Sequence, residues 1–387
     1  MDAWQLAQRC TCLEPFLVME VLERAQELER AGRTILHLEV GEPDFATPPE
    51  IARAACEAVS SGDTHYTHSL GLLDLREAIS ERYRRIYAAD VAPEQIMVTA
   101  GSSLALFYAC AALIEPGDEV LFATPHYPCY PNFVRFFGGR PVEIPTDPQD
   151  GYRLDPAEVR RRITPRTRAI LVNSPANPTG AVLDGERMKG LADLGIPIIS
   201  DEIYHGLTYG EPAHSMLEFT DGVYVADGFS KRYAMTGWRL GWLVVPHGQM
   251  RRFQTMQQSF LISASPIAQR AGIAAICHGD LAVERMRQEY FRRREVMANL
   301  FRRLGFGIPI LPGGAFYMFA DVSAFTRDSY RFAFDLLERA GVGVAPGVDF
   351  GEAGRRAVRL SYAASEEIIR QAADRVAAFL DQALHGE

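Results

Sequence analysis

Cysteine is scarce, with six in 387 residues, two of them in Cys10-Thr-Cys12 and none in a C-x-x-C pair. That set is too thin for a secreted disulfide scaffold and lacks zinc-binding spacing, so the thiols read as reduced. Long apolar runs are missing as well. The first apolar cluster, PFLVMEVL, is broken by Glu20, and neither a signal peptide nor a membrane span is legible. Positive charge is not in excess: 49 acidic against 40 basic residues give a formal charge of -9. This argues against a general nucleic-acid or anionic-membrane binder, while a small anion held by a few arginines stays possible. Neither G-x-x-x-x-G-K-[ST] nor G-x-G-x-x-G occurs, so nucleoside triphosphates and dinucleotides lose their usual support. His205, close to Asp201 and Glu202, and the pair His65 and His68 lack H-E-x-x-H or a third ligand, and no metal is expected. The expectation is a soluble, cytoplasmic protein without nucleic-acid or membrane partners.

What is present is an alternation. From about residue 50 to 245, amphipathic helical patterns such as IARAACEAVS and LREAISERYRRIY alternate with short branched runs. The runs QIMVTA, EVLFAT, RAILVN, IPIIS, GVYVAD and LGWLVV predict buried parallel strands joined by crossover helices, an α/β architecture. Beyond about residue 285 the texture changes to an arginine-rich helix, ERMRQEYFRRREVMANLFRRL, and a mixed segment ending in SEEIIRQAADRVAAFLDQAL. We therefore expect a large domain over residues 47–285 with a mostly parallel sheet, and a smaller α+β domain over 286–387 joined by the segment 1–46. The arginine run reads as a solvated helix face and is assigned no partner.

Chemistry-bearing residues gather just after strand ends, where open α/β sheets bind ligands. Gly101, Ser102 and Ser103 follow a strand and open a helix, a place for a phosphate, although serine there is commonly just an N-cap. Asn177 lies between two prolines in NSPANPTG, and IPIIS delivers Asp201 with Tyr204 three residues on. Asp201 alone would read as a helix cap. GFSKRYAMTGWRLGW, residues 228–242, sets Lys231 among small and apolar residues with Arg239 eight positions later. A lysine amine in such surroundings can be unprotonated and condense with an aldehyde. Together these are the parts that pyridoxal phosphate demands: a lysine, an aspartate for the pyridine nitrogen, and a helix end with an arginine for the phosphate.

At this point the sequence resembles the class I aminotransferases of the fold-type-I pyridoxal-phosphate family, from GEPDFATPP at residue 41 to VRLSYA at residue 358. GFSKRYAMTGWRLG matches the family's lysine signature, and NPTG, DEIY, PGGAFY and VRLSYA fall in the family's order. The resemblance implies that Lys231 is the Schiff-base lysine and Asp201 the partner of the pyridine nitrogen. It implies further that Asn177 and Tyr204 bond the cofactor's phenolic oxygen, that Ser102, Ser103 and Arg239 hold its phosphate, and that Tyr127 stacks on its ring. Arg359, helped by Asn177 and the backbone of Gly41, would grip the substrate α-carboxylate. Tyr66 matches a tyrosine that reaches the phosphate of the neighbouring subunit, which implies a homodimer with shared sites. Two positions depart from the family: Gly228 stands where many members have a phosphate-binding serine, and Leu73 replaces a frequent proline. The implied activity is amino transfer between an L-amino acid and a 2-oxo acid. β-Elimination by a C-S lyase on the same fold, or a non-catalytic regulator that binds the cofactor, are the alternatives, and the amino donor is not legible.

Overall fold

The computed structural model describes residues 6–385. Seven strands form the central sheet: β1 (Ile96–Thr99), β2 (Glu119–Thr124), β3 (Arg140–Pro145), β4 (Thr167–Asn173), β5 (Ile198–Asp201), β6 (Val223–Gly228) and β7 (Gly241–Val244). Their order is β1-β7-β6-β5-β4-β2-β3, and all neighbours run parallel except the pairs that β7 makes with β1 and β6. Both faces are covered, which explains the near-continuous apolar runs. Side chains alternate across the pleat: Ile96 and Val98 enter a core under helices Pro49–Ser60, Leu73–Tyr87 and Pro266–His278, while Met97 enters the opposite core under Ser102–Leu113, Cys129–Phe136 and Met250–Phe260.

A further core belongs to a smaller three-stranded antiparallel sheet, in the order Ala345–Pro346, Ala357–Ser361, Tyr317–Asp321, packed with helices Asp280–Arg303 and Glu366–His385. The helix Asp280–Arg303 runs unbroken across residue 285. From the N-terminal segment, Leu36–His37 pairs with Val342–Gly343, and helix Leu17–Arg30 buries Val21, Ala25 and Leu28 against Ile35 and Leu337.

Three details depart from the sequence reading. LGWLVV supplies the antiparallel strand rather than a parallel one. The edge strand β3, RPVEIP, went unread because its burial is partial and two prolines interrupt its apolar pattern. The arginine run is not wholly solvated, since Arg293 and Arg294 are buried. Arg293 grips both carboxylate oxygens of Asp44 at 2.8 Å, and Arg294 donates to the Pro312 carbonyl at 2.7 Å. Among the described residues no helix is long and apolar enough to cross a membrane.

Candidate active site

The carboxyl ends of β4, β5 and β6 and the turn after β1 open on one cavity of about 370 Å³. It is lined by Gly41, Ser102, Ser103, Tyr127, Asn177, Asp201, Tyr204, Lys231, Arg239 and Arg359 among others, so ten of the eleven expected site residues meet there. Tyr66 does not. It is 81% exposed and outside the cavity.

Lys231 follows β6 by three residues and is half-buried. Its Nζ donates to the Gly41 carbonyl at 2.5 Å. Burial lowers its pKa from the ordinary 10.5 to about 8, against a smaller upward pull from Glu42, and the positive charges of Arg359 and Arg239 lower it further. Loss of hydration penalises the ammonium form, which makes the amine available as a nucleophile near neutrality.

Asp201 ends β5 and is only 4% exposed. Burial pushes its carboxyl up to about 6, partly offset by the Tyr130 hydroxyl, which donates to Oδ2 at 2.6 Å, and the Ile203 amide, which donates to Oδ1 at 3.3 Å. Tyr130 was not foreseen, although TPHYPCY carries it three residues after Tyr127, one turn on. The two rings meet edge to face at 5.4 Å, and Tyr127 in turn touches Phe16 at 6.0 Å.

Arg359 sits on strand Ala357–Ser361 and is 2% exposed. Nη1 donates to Asn177 Oδ1 at 3.0 Å and Nη2 to the Glu39 carbonyl, while the buried Nε has no partner among the described residues. The guanidinium lies over the Tyr317 ring at 4.4 Å and the Phe350 ring at 5.0 Å. Tyr317 also pairs its hydroxyl with that of Tyr204 at 2.9 Å. Tyr317 is the second residue that the sequence reading left without a role, although it ends the motif PGGAFY. Asn177 is fixed by its own amide, which donates to Asn173 Oδ1 at 2.9 Å.

The phosphate-type end is shaped by glycine. Gly101 has φ +91°, and a Cβ there would overlap the Arg239 guanidinium. A Cβ on Gly241 would meet the Ser102 amide at 2.6 Å. The first turn of helix Ser102–Leu113 therefore sits tight against β7, and Ser102, Ser103 and Arg239 line the cavity together there. Gly228 is absent from the lining, and Ser230, next to Lys231, is present. His205, by contrast, is buried behind the sheet end, bonded to Tyr87 Oη at 2.7 Å and the Ser174 carbonyl at 3.0 Å.

Residues 33–376 match the family model of aminotransferase class I and II. The aspartate/prephenate aminotransferase of Thermus thermophilus is 40% identical over 386 residues, 98% of this chain and 99% of that protein. The (5-formylfuran-3-yl)methyl phosphate transaminase of Methanocaldococcus jannaschii is 40% identical over 382 residues, 97% of this chain and 100% of that one. Among solved structures, the aspartate aminotransferase from Thermus thermophilus with maleate superposes with a TM-score of 0.93 at 39% identity, covering 97% of this chain and 100% of that one. A family-model match over most of the chain, relatives 40% identical along their whole length and a shared fold leave one assignment: the chain belongs to the class I and II aminotransferases and is an enzyme that moves an amino group between an amino acid and a 2-oxo acid.

Proposed function

We propose that the cavity holds pyridoxal phosphate and that its residues divide the work of transamination as follows. The observation that carries this reading is the joint placement of a desolvated amine, Lys231, and a desolvated carboxyl, Asp201, in one cavity with a helix N-terminus and Arg239 at its far end. The donor set fits the group: a nucleophilic amine for its aldehyde, a carboxylate for its ring nitrogen, and amides, hydroxyls and a guanidinium for its phosphate. When bound, pyridoxal phosphate supplies an aldehyde and an electron-withdrawing ring that acidifies the Cα–H of an attached amino acid.

The protein's part is positioning and proton control. Ser102, Ser103, Arg239 and the amides of the helix start hold the phosphate, and Ser230 offers a hydroxyl where Gly228 offers none. Asp201, fixed by Tyr130, keeps the ring nitrogen protonated, because an opposite charge in a poorly solvated place favours the cationic form. Asn177 and Tyr204 would hydrogen-bond the ring oxygen, and Tyr127 would pack on the ring. Arg359, with Asn177, would bind the substrate α-carboxylate in a planar fork. Lys231, as a free amine, would take the proton from the substrate Cα and give one back, and a pKa of about 8 poises it for both directions.

The further expectations stand as part of the same proposal: a division into a segment 1–46, a large domain 47–285 and a small domain 286–387, cytoplasmic location, and a homodimer in which Tyr66 serves the second copy's site. Its exposure, away from its own cavity, supports that role. The test is to mix the protein, loaded with pyridoxal phosphate, with an amino donor in the absence of acceptor. One equivalent of 2-oxo acid with pyridoxamine phosphate supports the reading. Pyruvate and ammonia from a cysteine conjugate, without amino transfer, would replace it by β-elimination.

A further inference from the structure

Charge is unevenly distributed around the cavity. Its lining holds three cations among the described residues, Lys231, Arg239 and Arg359, and the proposed function uses all three, for the amine, the phosphate and the α-carboxylate. The unassigned charge is negative: Glu42 lines the cavity beside Gly41 and accepts a bond from the Thr236 hydroxyl. Among the described residues of this chain, the lining holds no cation left for a second carboxylate on the substrate.

The unassigned wall is apolar. Phe16, Val18, Met19 and Leu22 line the cavity from the start of helix Leu17–Arg30. Positions 18, 19 and 22 share one helical face at i, i+3 and i+4 spacing, while Val21, Ala25 and Leu28 use the other face for the core. Met19 and Leu22 belong to no core cluster; Met19 is 44% exposed and Leu22 half-buried. The helix start is held in place beside Arg359: Asp349 accepts from the Leu17 and Val18 amides at 3.0 and 3.1 Å, and its neighbour Phe350 lies under the Arg359 guanidinium. Phe16 also rests on Tyr127. The wall thus lines the cavity beside Tyr127 and Arg359, within reach of the side chain of a substrate anchored at Arg359.

We propose that this wall selects the substrate class: the enzyme takes amino acids with aliphatic, thioether or aromatic side chains, and amino dicarboxylates are poor donors. The proposal rests on the aminotransferase reading. An ionised distal carboxylate moved against this wall gives up its water with no partner in return and faces Glu42, whereas an apolar side chain gains by leaving water. Because both half-reactions use one cavity, the same wall makes pyruvate or an apolar 2-oxo acid a better acceptor than 2-oxoglutarate.

The test uses the cofactor-loaded enzyme in two arms. In the first, kcat/KM is measured for leucine, methionine and phenylalanine against aspartate and glutamate, with pyruvate as acceptor; the apolar donors lead by roughly 100-fold or more. In the second, 4-methylpentanoate and succinate are titrated calorimetrically, and 4-methylpentanoate binds tighter by about tenfold or more. Leu22→Arg and, on the more exposed position, Met19→Arg shift the preference toward dicarboxylates in both arms. Aspartate or glutamate turned over as well as leucine, or succinate bound as tightly as 4-methylpentanoate, overturns the proposal. If no donor is converted, the aminotransferase reading fails, and the binding arm still decides the character of the wall.

Discussion

Tyr130 donates its hydroxyl to Asp201 across 71 residues of sequence, at 2.6 Å and with both side chains buried. The bond steadies the carboxylate that faces the cavity and partly offsets the cost of burying it. Tyr130→Phe removes only the oxygen. Asp201 then holds its proton more firmly and turns more freely, so the half-reaction slows by about tenfold, matching the ~1.5 kcal/mol lower end for a hydrogen bond to a charged group. Rapid mixing of donor with loaded enzyme checks this, and the α-carboxylate affinity stays at the wild-type value.

The Lys231 amine makes the pH dependence of cofactor capture predictable. The neutral amine is the nucleophile, and it is populated above its pKa. The second-order rate of pyridoxal phosphate uptake by cofactor-free protein therefore rises with pH through a midpoint of about 8, where an ordinary lysine would rise through 10.5. Stopped-flow absorbance across pH 6–10 reads the midpoint.

Arg359 presents a planar fork stacked between Tyr317 and Phe350. Arg359→Lys keeps the charge and loses both the paired geometry and the stacking. kcat/KM falls by about 30-fold to 100-fold, on the order of 2 to 3 kcal/mol for a charge-assisted contact. The absorbance of the bound cofactor is unchanged, since Arg359 is assigned to the substrate.

Asp349 acts as a helix cap contributed from more than 330 residues away, for it accepts from both Leu17 and Val18 amides. Asp349→Ala leaves those amides unpaired, lowers the stability of the protein by ~1 kcal/mol, and loosens the apolar wall. Thermal unfolding reads the first effect. A rise in KM for apolar donors larger than the fall in kcat reads the second.

The sheet was legible because its strands are buried on both faces, so that IPIIS or GVYVAD need no alternation to be read. The direction of LGWLVV was not, since periodicity carries no polarity and the antiparallel pairings of Gly241–Val244 depend on tertiary neighbours. At the site, Lys231, Asp201, Asn177, Tyr204 and Arg359 were legible through local motifs. Tyr130 and Tyr317 were not, because each acts through a partner distant in sequence, Asp201 and Tyr204 respectively. The buried Arg293 and Arg294 were hidden for the same reason: in an arginine run, only the tertiary partners Asp44 and Pro312 distinguish a buried side chain from a solvated one.

The central claim is that Asp201 is held in a costly, buried setting in order to govern the cofactor's ring. Its folded pKa, about 6, lies above the ordinary 3.8, so ionising it opposes folding, and stability of the cofactor-free protein is lost as pH rises from about 4 through 6. Asp201→Asn relieves that cost, on the order of 3 kcal/mol at pH 8, while keeping the shape. The decisive measurement is the single-turnover half-reaction of cofactor-loaded Asp201→Asn with a competent donor at pH 8. Cofactor is bound, the cofactor-free variant is no less stable than wild type, and conversion to pyridoxamine phosphate slows by several orders of magnitude. Conversion at the wild-type rate would contradict the claim and reduce Asp201 to a local cap for the Ile203 amide.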